Sequence, residues 1–152
     1  MQLIALPEVM EEAGYVLGEM DEEGSRTRVP IDWSALLAKK QLSTHPFPDD
    51  ALMAFIELSA HLTDVDAKCV ALARHLRVGL VSDDGKVRRV FSAGADGLPL
   101  RSTVWVVRQA ASLIPLDQAQ VREVFERIRE RARFESPRKD PDYEWYAQQV
   151  GA

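Results

Sequence analysis

Leu62-Thr-Asp-Val-Asp66-Ala-Lys-Cys69-Val-Ala-Leu-Ala-Arg74-His-Leu-Arg-Val78-Gly-Leu-Val81-Ser-Asp83-Asp84-Gly-Lys-Val-Arg88-Arg89 is the stretch whose reading decides the fold. Thr63 or Asp64 is placed to cap a helix, and Ala67, Val70, Ala71, the stem of Arg74 and Leu76 recur at helical spacing along one stripe. Small residues on that stripe let the helix lie close to a sheet. Val78 to Val81 then reads as a strand, apolar on both faces as expected of an interior parallel strand covered by helices. Asp83, Asp84 and Gly85 make a turn, and KVRRVF opens the next helix. Acids therefore stand at both ends of one helix-then-strand unit. If the strand is parallel to its neighbour, those ends share the sheet edge at which open α/β sheets bind ligands. Hard oxygen donors gathered there suit Mg²⁺ or Mn²⁺.

The remainder of the chain extends this pattern outward in both directions. Upstream, MQLIAL reads as a buried strand ending at Pro7, followed by a helix to about Leu17 with Val9, Met10, Ala13, Val16 and Leu17 inside. Glu8, Glu11 and Glu12 are left to solvent or to the sheet edge, and Gly18 to Arg28 reads as a mobile surface loop. Val29 to Leu42 combines a strand-like opening with a short helix that Asp32 or Ser34 caps, and Trp33 anchors it to the core. Prolines 46 and 48 interrupt the chain before a helix over Asp50 to His61, capped by Asp49, with Leu52, Phe55, Ile56 and Ser59 inward.

Downstream, Ser92 to Leu100 is a loop or carries a short last strand around Leu98 to Arg101. VWVV has strand composition, yet Ser102 and Thr103 are good caps and RQAASLI continues at helical period, which favours helix. The clearest helix follows Asp117, with Gln120 at the capping-box position and Val121, Val124, Phe125, Ile128 and Ala132 in one stripe. Its outer face alternates arginines with Glu123, Glu126 and Glu130, a pattern that supports pairing four residues apart. The tail from residue 134 is proline-broken, and Tyr143, Trp145 and Tyr146 are expected to fold back onto the domain or meet a partner.

Composition narrows the function classes. At 152 residues, 46% hydrophobic and 28% charged, the chain suits a single globular domain over residues 1–152. Cys69 has no partner for an internal disulfide and reads as a small core residue. His45 and His61 lack a second ligand at zinc spacing. No apolar run is long enough for a membrane helix, and the first residues lack a secretory pattern, so the expected location is cytoplasmic, with no membrane partner. The net charge of −5 argues against nucleic-acid binding through bulk charge. Its distribution is polar: residues 1–25 hold seven acids and no lysine or arginine, whereas residues 74–139 hold fourteen basic against eight acidic side chains.

Taken together, PEVMEEAGYVL, DVDAKCVALA and VSDDGKVRR resemble, in order and spacing, the PIN domain, a family of Mg²⁺- or Mn²⁺-dependent ribonucleases. The resemblance implies a three-layer α/β fold with a parallel central sheet flanked by helices. It implies an RNA substrate, with Glu12, Asp66 and Asp84 as the catalytic, metal-holding carboxylates. Asp64, Ser82 and Asp83 would support them, and Lys86, Arg88 and Arg89 would hold RNA phosphate. It also implies a role as the toxin of a toxin–antitoxin pair, with an antitoxin or a second copy of the chain as partner. The family's first strand, ending in an aspartate in runs such as LDTN or LDSC, has no counterpart here, and the fold is expected to be N-terminally shortened. The alternative reading is therefore a catalytically inactive PIN-like module that binds RNA or protein.

Overall fold

The computed structural model describes residues 2–94 and 97–151. In chain order the elements are β1 (Leu3–Ala5), α1 (Pro7–Glu12), β2 (Tyr15–Met20), β3 (Arg26–Pro30), α2 (Trp33–Ala38), β4 (Leu42–Thr44), a 3₁₀ turn (Asp49–Ala51) and α3 (Leu52–Ser59). There follow α4 (Asp64–His75), β5 (Leu80–Val81), α5 (Gly85–Ala93), β6 (Leu100–Arg101), α6 (Thr103–Leu113), α7 (Gln118–Ala132) and α8 (Tyr143–Val150). Met1 of the expected first strand and residues 95–96 of the expected loop lie outside the described residues. The chain forms two compact units, one of residues 1–12 and 33–103, the other of residues 13–32 and 104–152.

The first unit is α/β with parallel pairing. β1 pairs with β4 in the register Leu3↔Leu42 to Ala5↔Thr44. β5 pairs with β6 in the register Leu80↔Leu100 and Val81↔Arg101, the crossover between them being α5. The backbone bonds Leu80 N–H to Pro99 O at 2.9 Å and Ser82 N–H to Arg101 O at 3.0 Å extend that ladder. A Cβ on Gly79 would sit 2.8 Å from the Pro99 carbonyl oxygen, so only glycine permits this approach. The sheet is small. β5 is shorter than the expected Val78–Val81 strand, and it is covered on one side only: Leu80 is buried while Val81 is exposed.

α4 supplies the packing surface. Thr63 caps it, accepting the Asp66 N–H, and Ala67, Val70, Ala71 and Ala73 are buried with Leu80, Val87, Phe91, Ala51, Leu58 and Leu62. Arg74 runs along α4's flank to α5, where its Nη2 donates to the Val90 carbonyl at 2.7 Å and thereby satisfies an end of that helix. Leu76, expected in the stripe, is half-buried, its N–H closing the helix on the Leu72 carbonyl at 2.9 Å.

Two expectations for this unit need correction. The helix after Pro7 stops at Glu12 rather than near Leu17. The helix near residue 50 opens with the 3₁₀ turn Asp49–Ala51 and no side-chain cap, which turns its face relative to the expected one. Leu52 and Ile56 are consequently 47% and 55% exposed, and Ala51, Ala54, Phe55 and Leu58 make the contact with the core.

In the second unit, Tyr15–Met20 and Arg26–Pro30 form an antiparallel hairpin, where a helix end and a mobile loop were expected. The turn explains it: Asp21 Oδ1 accepts the N–H groups of Glu23 and Ser25 at 3.1 and 2.7 Å, and Gly24 takes φ +79°. Tyr15 pairs with Pro30 and Val16 with Val29, and the Arg28 guanidinium lies 4.3 Å from the centre of the Tyr15 ring. α6 and α7 are helices as expected, with the Asp117–Gln120 capping box complete. Val104, Val107, Val121 and Phe125 form the core of this unit. The tail returns as α8, an element the prolines hide, and sets Trp145 and Tyr146 edge-on to Phe125 at centroid distances of 5.9 and 4.9 Å.

These packing assignments are checked by denaturation. Phe91→Ala should cost about 3–5 kcal/mol, whereas Leu52→Ala should cost less than about 1 kcal/mol. A large loss from Leu52→Ala in urea titration would contradict the assigned face of α3.

Candidate functional site

Two groups of acidic residues in the first unit fall where the sequence places chemistry. The first follows β5. Ser82 Oγ accepts the Asp84 N–H at 3.2 Å, and Asp84 Oδ1 accepts the Lys86 and Val87 N–H groups at 2.8 Å each, so Asp84 is the N-cap of α5. Its Oδ2 accepts no hydrogen bond among the described residues. Asp83 does more than shape the turn: its carboxylate accepts the Thr103 N–H at 3.2 Å and the Thr103 hydroxyl, binding the residue that begins α6. Arg88 donates to the carbonyls of Ser82 at 2.8 Å and Arg101 at 3.2 Å, which ties the ends of β5 and β6 together. Lys86 and Arg89 are exposed in the first half of α5.

The second group surrounds the start of α4. Asp66 is half-buried, and its Oδ2 accepts the Thr63 hydroxyl at 2.7 Å. Asp64 and Glu12 are exposed. Glu8 meets Lys68 at 2.6 Å, and the Lys68 ammonium also lies 5.9 Å from the ring centres of both Phe47 and Phe55. The Lys68 hydrogen bond, aided by one from Glu8's own backbone, holds the Glu8 carboxyl below its ordinary value. Near this group sits Cys69, whose thiol is pushed up to about 11, first by burial and then by the negative charge of Asp66, Glu8 and Glu12. A thiol so raised stays protonated at neutral pH, and Cys69 packs, partly buried, against the core of the first unit.

Glu8 and Glu12 come from α1 and Asp66 from α4, and after burial the charge of all three raises the Cys69 thiol. Among the described residues, however, no three histidine, cysteine, aspartate or glutamate side chains come together in a group that could hold a metal ion. The carboxylates have the chemistry that Mg²⁺ or Mn²⁺ asks for, but in this arrangement they do not form a centre for it. Two partnerships escaped the sequence reading. Glu8 with Lys68 and Asp83 with Thr103 join residues far apart in the chain, and no periodicity marks such pairs.

With this geometry in view, comparison with known families is decisive at one level. The profile of a family described as a PIN domain matches residues 6–139. The chain belongs to the PIN-domain family. No curated protein and no solved structure matches it. The family is associated with a nuclease-like α/β fold and with divalent metals, and the parallel pairs of this PIN domain agree with that fold. No helix among its described residues is long and apolar enough to cross a membrane.

Two outcomes test the local roles. Because Asn caps a helix about as well as Asp, Asp84→Asn should leave stability nearly unchanged, while Asp84→Ala should lower it by about 1 kcal/mol. The Glu8 pair has a pH signature. Its folded pKa is depressed, so its contribution is complete above the unfolded value of about 4.3 and disappears as pH falls through the folded one. Both side chains are about a third exposed, so Glu8→Gln should cost only roughly 0.5–1 kcal/mol at pH 7. In urea titrations the difference from wild type should shrink as the pH falls below the unfolded value; a difference that persists at full protonation of the carboxyl would assign the loss to packing.

Proposed function

We propose that this PIN domain is a metal-dependent ribonuclease that hydrolyses RNA phosphodiester bonds, with Glu12, Asp66 and Asp84 as the carboxylates that carry the reaction. The observation that carries the reading is that the chain matches a PIN-domain family over residues 6–139, a span that includes all three carboxylates, with Glu12 on α1 and Asp66 on α4 of one compact unit. Asp84 supports it from the carboxyl end of β5, a sheet edge of the kind at which α/β folds bind ligands. Asp64, Ser82 and Asp83 would act as supports, Ser82 through the Asp84 N–H and Asp83 through Thr103. Lys86 and Arg89 are the side chains proposed to meet RNA phosphate; Arg88 joins them only if it releases the carbonyls of Ser82 and Arg101. The cation is proposed as Mg²⁺ or Mn²⁺ from the donor chemistry. A cytoplasmic toxin, held in check by an antitoxin or associated with a second copy of the chain, is the cellular form of this proposal.

A specific observation favours a second reading. Asp66 and Asp84 each hold a local hydrogen bond at a helix start, Asp83 reaches across to Thr103 at the start of α6, and among the described residues no three such side chains form a group that could hold a metal ion. Carboxylates used in this way define a PIN-like module that binds RNA or protein without cutting it.

Incubation of the purified chain with end-labelled RNA and Mn²⁺ separates the two. The ribonuclease reading expects cleavage that Asp66→Asn and Asp84→Asn each reduce by at least roughly 10- to 100-fold, since even outer partners of metal sites cost that much. Asn preserves the cap at Asp84 and Thr63 remains the cap of α4 in Asp66→Asn, so such a loss is not a loss of fold. Equal background from wild type and variants rules the nuclease out and leaves the binding module.

A further inference from the structure

The second unit contains a cavity of about 400 Å³ between the β2–β3 hairpin and α7, lined by Gly18 and Glu19 of β2, Arg26 of β3, and Arg127, Glu130 and Arg131 of α7. That volume lies in the range of sites for small organic ligands. Three arginines line it. Arg127 and Arg131 stand four residues apart and so share one face of α7, while Arg26 reaches in from the hairpin. Two of them are held in place. Arg26 Nη1 donates to the Glu130 carbonyl at 2.8 Å, and Arg127 pairs with Glu123 one turn back. Arg131 has no hydrogen bond or ion pair among the described residues, and its side chain is exposed.

The carboxylates of the lining, Glu19 and Glu130, make no ion pair with these arginines among the described residues. The cavity therefore offers a planar, charged donor set beside free acceptors. The hairpin is irregular beside that space. The register slips by one residue between Leu17 and Met20, a bulge that takes Gly18 and Glu19 out of regular pairing. A Cβ on Gly18 would lie 2.5 Å from Thr27 Oγ1 and 3.1 Å from Val29 Cγ2, so a larger residue would displace those side chains.

From this arrangement we infer that the cavity binds one nucleotide unit of an RNA chain, an inference that rests on the reading of RNA as the substrate. Guanidinium groups match the geometry of phosphate oxygens, each able to donate two parallel hydrogen bonds. Carboxylates beside a phosphate site repel a second anion but accept from hydroxyl donors. In RNA the 2′-hydroxyl is such a donor, and it is the group that DNA lacks. Arg26, Arg127 and Arg131 take the phosphate, and Glu19 or Glu130 takes the ribose hydroxyl.

Binding, not cleavage, is the readout, measured by fluorescence anisotropy of a short labelled RNA on the full chain with EDTA present. Arg131→Gln should weaken binding about tenfold, and the plot of log affinity against log salt should become shallower by about 0.7, because one phosphate fewer is neutralised by the protein. The DNA oligomer of the same sequence should bind more weakly than RNA in the wild type, and Glu19→Gln should narrow that difference. Thermal unfolding of Arg131→Gln should match wild type, because the side chain is exposed. Unchanged RNA affinity in both Arg131→Gln and the Arg26→Gln, Arg131→Gln double variant overturns the site. Equal RNA and DNA affinities, or inorganic phosphate binding as tightly as RNA, overturn its assignment to a ribonucleotide. Binding that responds as expected in a chain that cuts no RNA refutes the ribonuclease reading and leaves this site intact.

Discussion

The first unit depends on how closely α4 approaches its neighbours. Ala67, Val70, Ala71 and Ala73 present little beyond a backbone, so Phe91, Val87 and Leu80 press directly against the helix. Interiors at crystal-like density gain their dispersion energy from such fit. The two-residue strands β5 and β6 contribute few ladder bonds of their own, so it is this packing that holds them parallel and places the Ser82–Asp84 turn. Arg74 belongs to the same contact. Its guanidinium lies against Gly94, where a Cβ would come within 2.7 Å of Nη2, and it bonds the carbonyls that end α5.

The acids around this core serve two demands that conflict. A carboxylate at a helix start satisfies amide groups that would otherwise lack partners, which stabilises the fold. A carboxylate that binds a cation has to turn an oxygen toward its neighbours and accept their repulsion. Asp84 meets the first demand with Oδ1 and keeps Oδ2 clear of protein donors among the described residues. Asp66 divides its oxygens in the same way, with Oδ2 on Thr63. Capping and ligation are therefore compatible at the level of single residues. Assembly of the ligands is a separate requirement, set by where α1, α4 and α5 direct their ends.

Much of this was legible in the sequence where the signal is local. Caps and helical period identify α4, α5, α6 and α7, including the Asp117–Gln120 box, because both act within a few residues. The β2–β3 hairpin is misread because Val9, Met10, Ala13, Val16 and Leu17 keep a helical spacing across Gly14, while the partners that overrule it, Val29 and Pro30, lie beyond the turn. The face of α3 is misplaced because a 3₁₀ start changes the phase without changing the composition. α8 is concealed by the prolines at 137 and 141 that precede it, and Trp145 and Tyr146 find their place only against Phe125. At the candidate site the acids are visible as types and positions, yet Asp83 with Thr103 and Glu8 with Lys68 are tertiary events.

Neither compact unit is continuous in the chain, since residues 13–32 belong with residues 104–152 and interrupt the first unit. This has a consequence for synthesis. On the ribosome the hairpin emerges early, but α7, against which β2 packs, is made only after the whole of the other unit has been translated. A two-stranded ribbon of that size has marginal stability alone in water. During that interval its edges and the exposed side chains of Tyr15, Met20 and Val29 are open to other chains, so the nascent protein is most vulnerable to aggregation before its final third is complete.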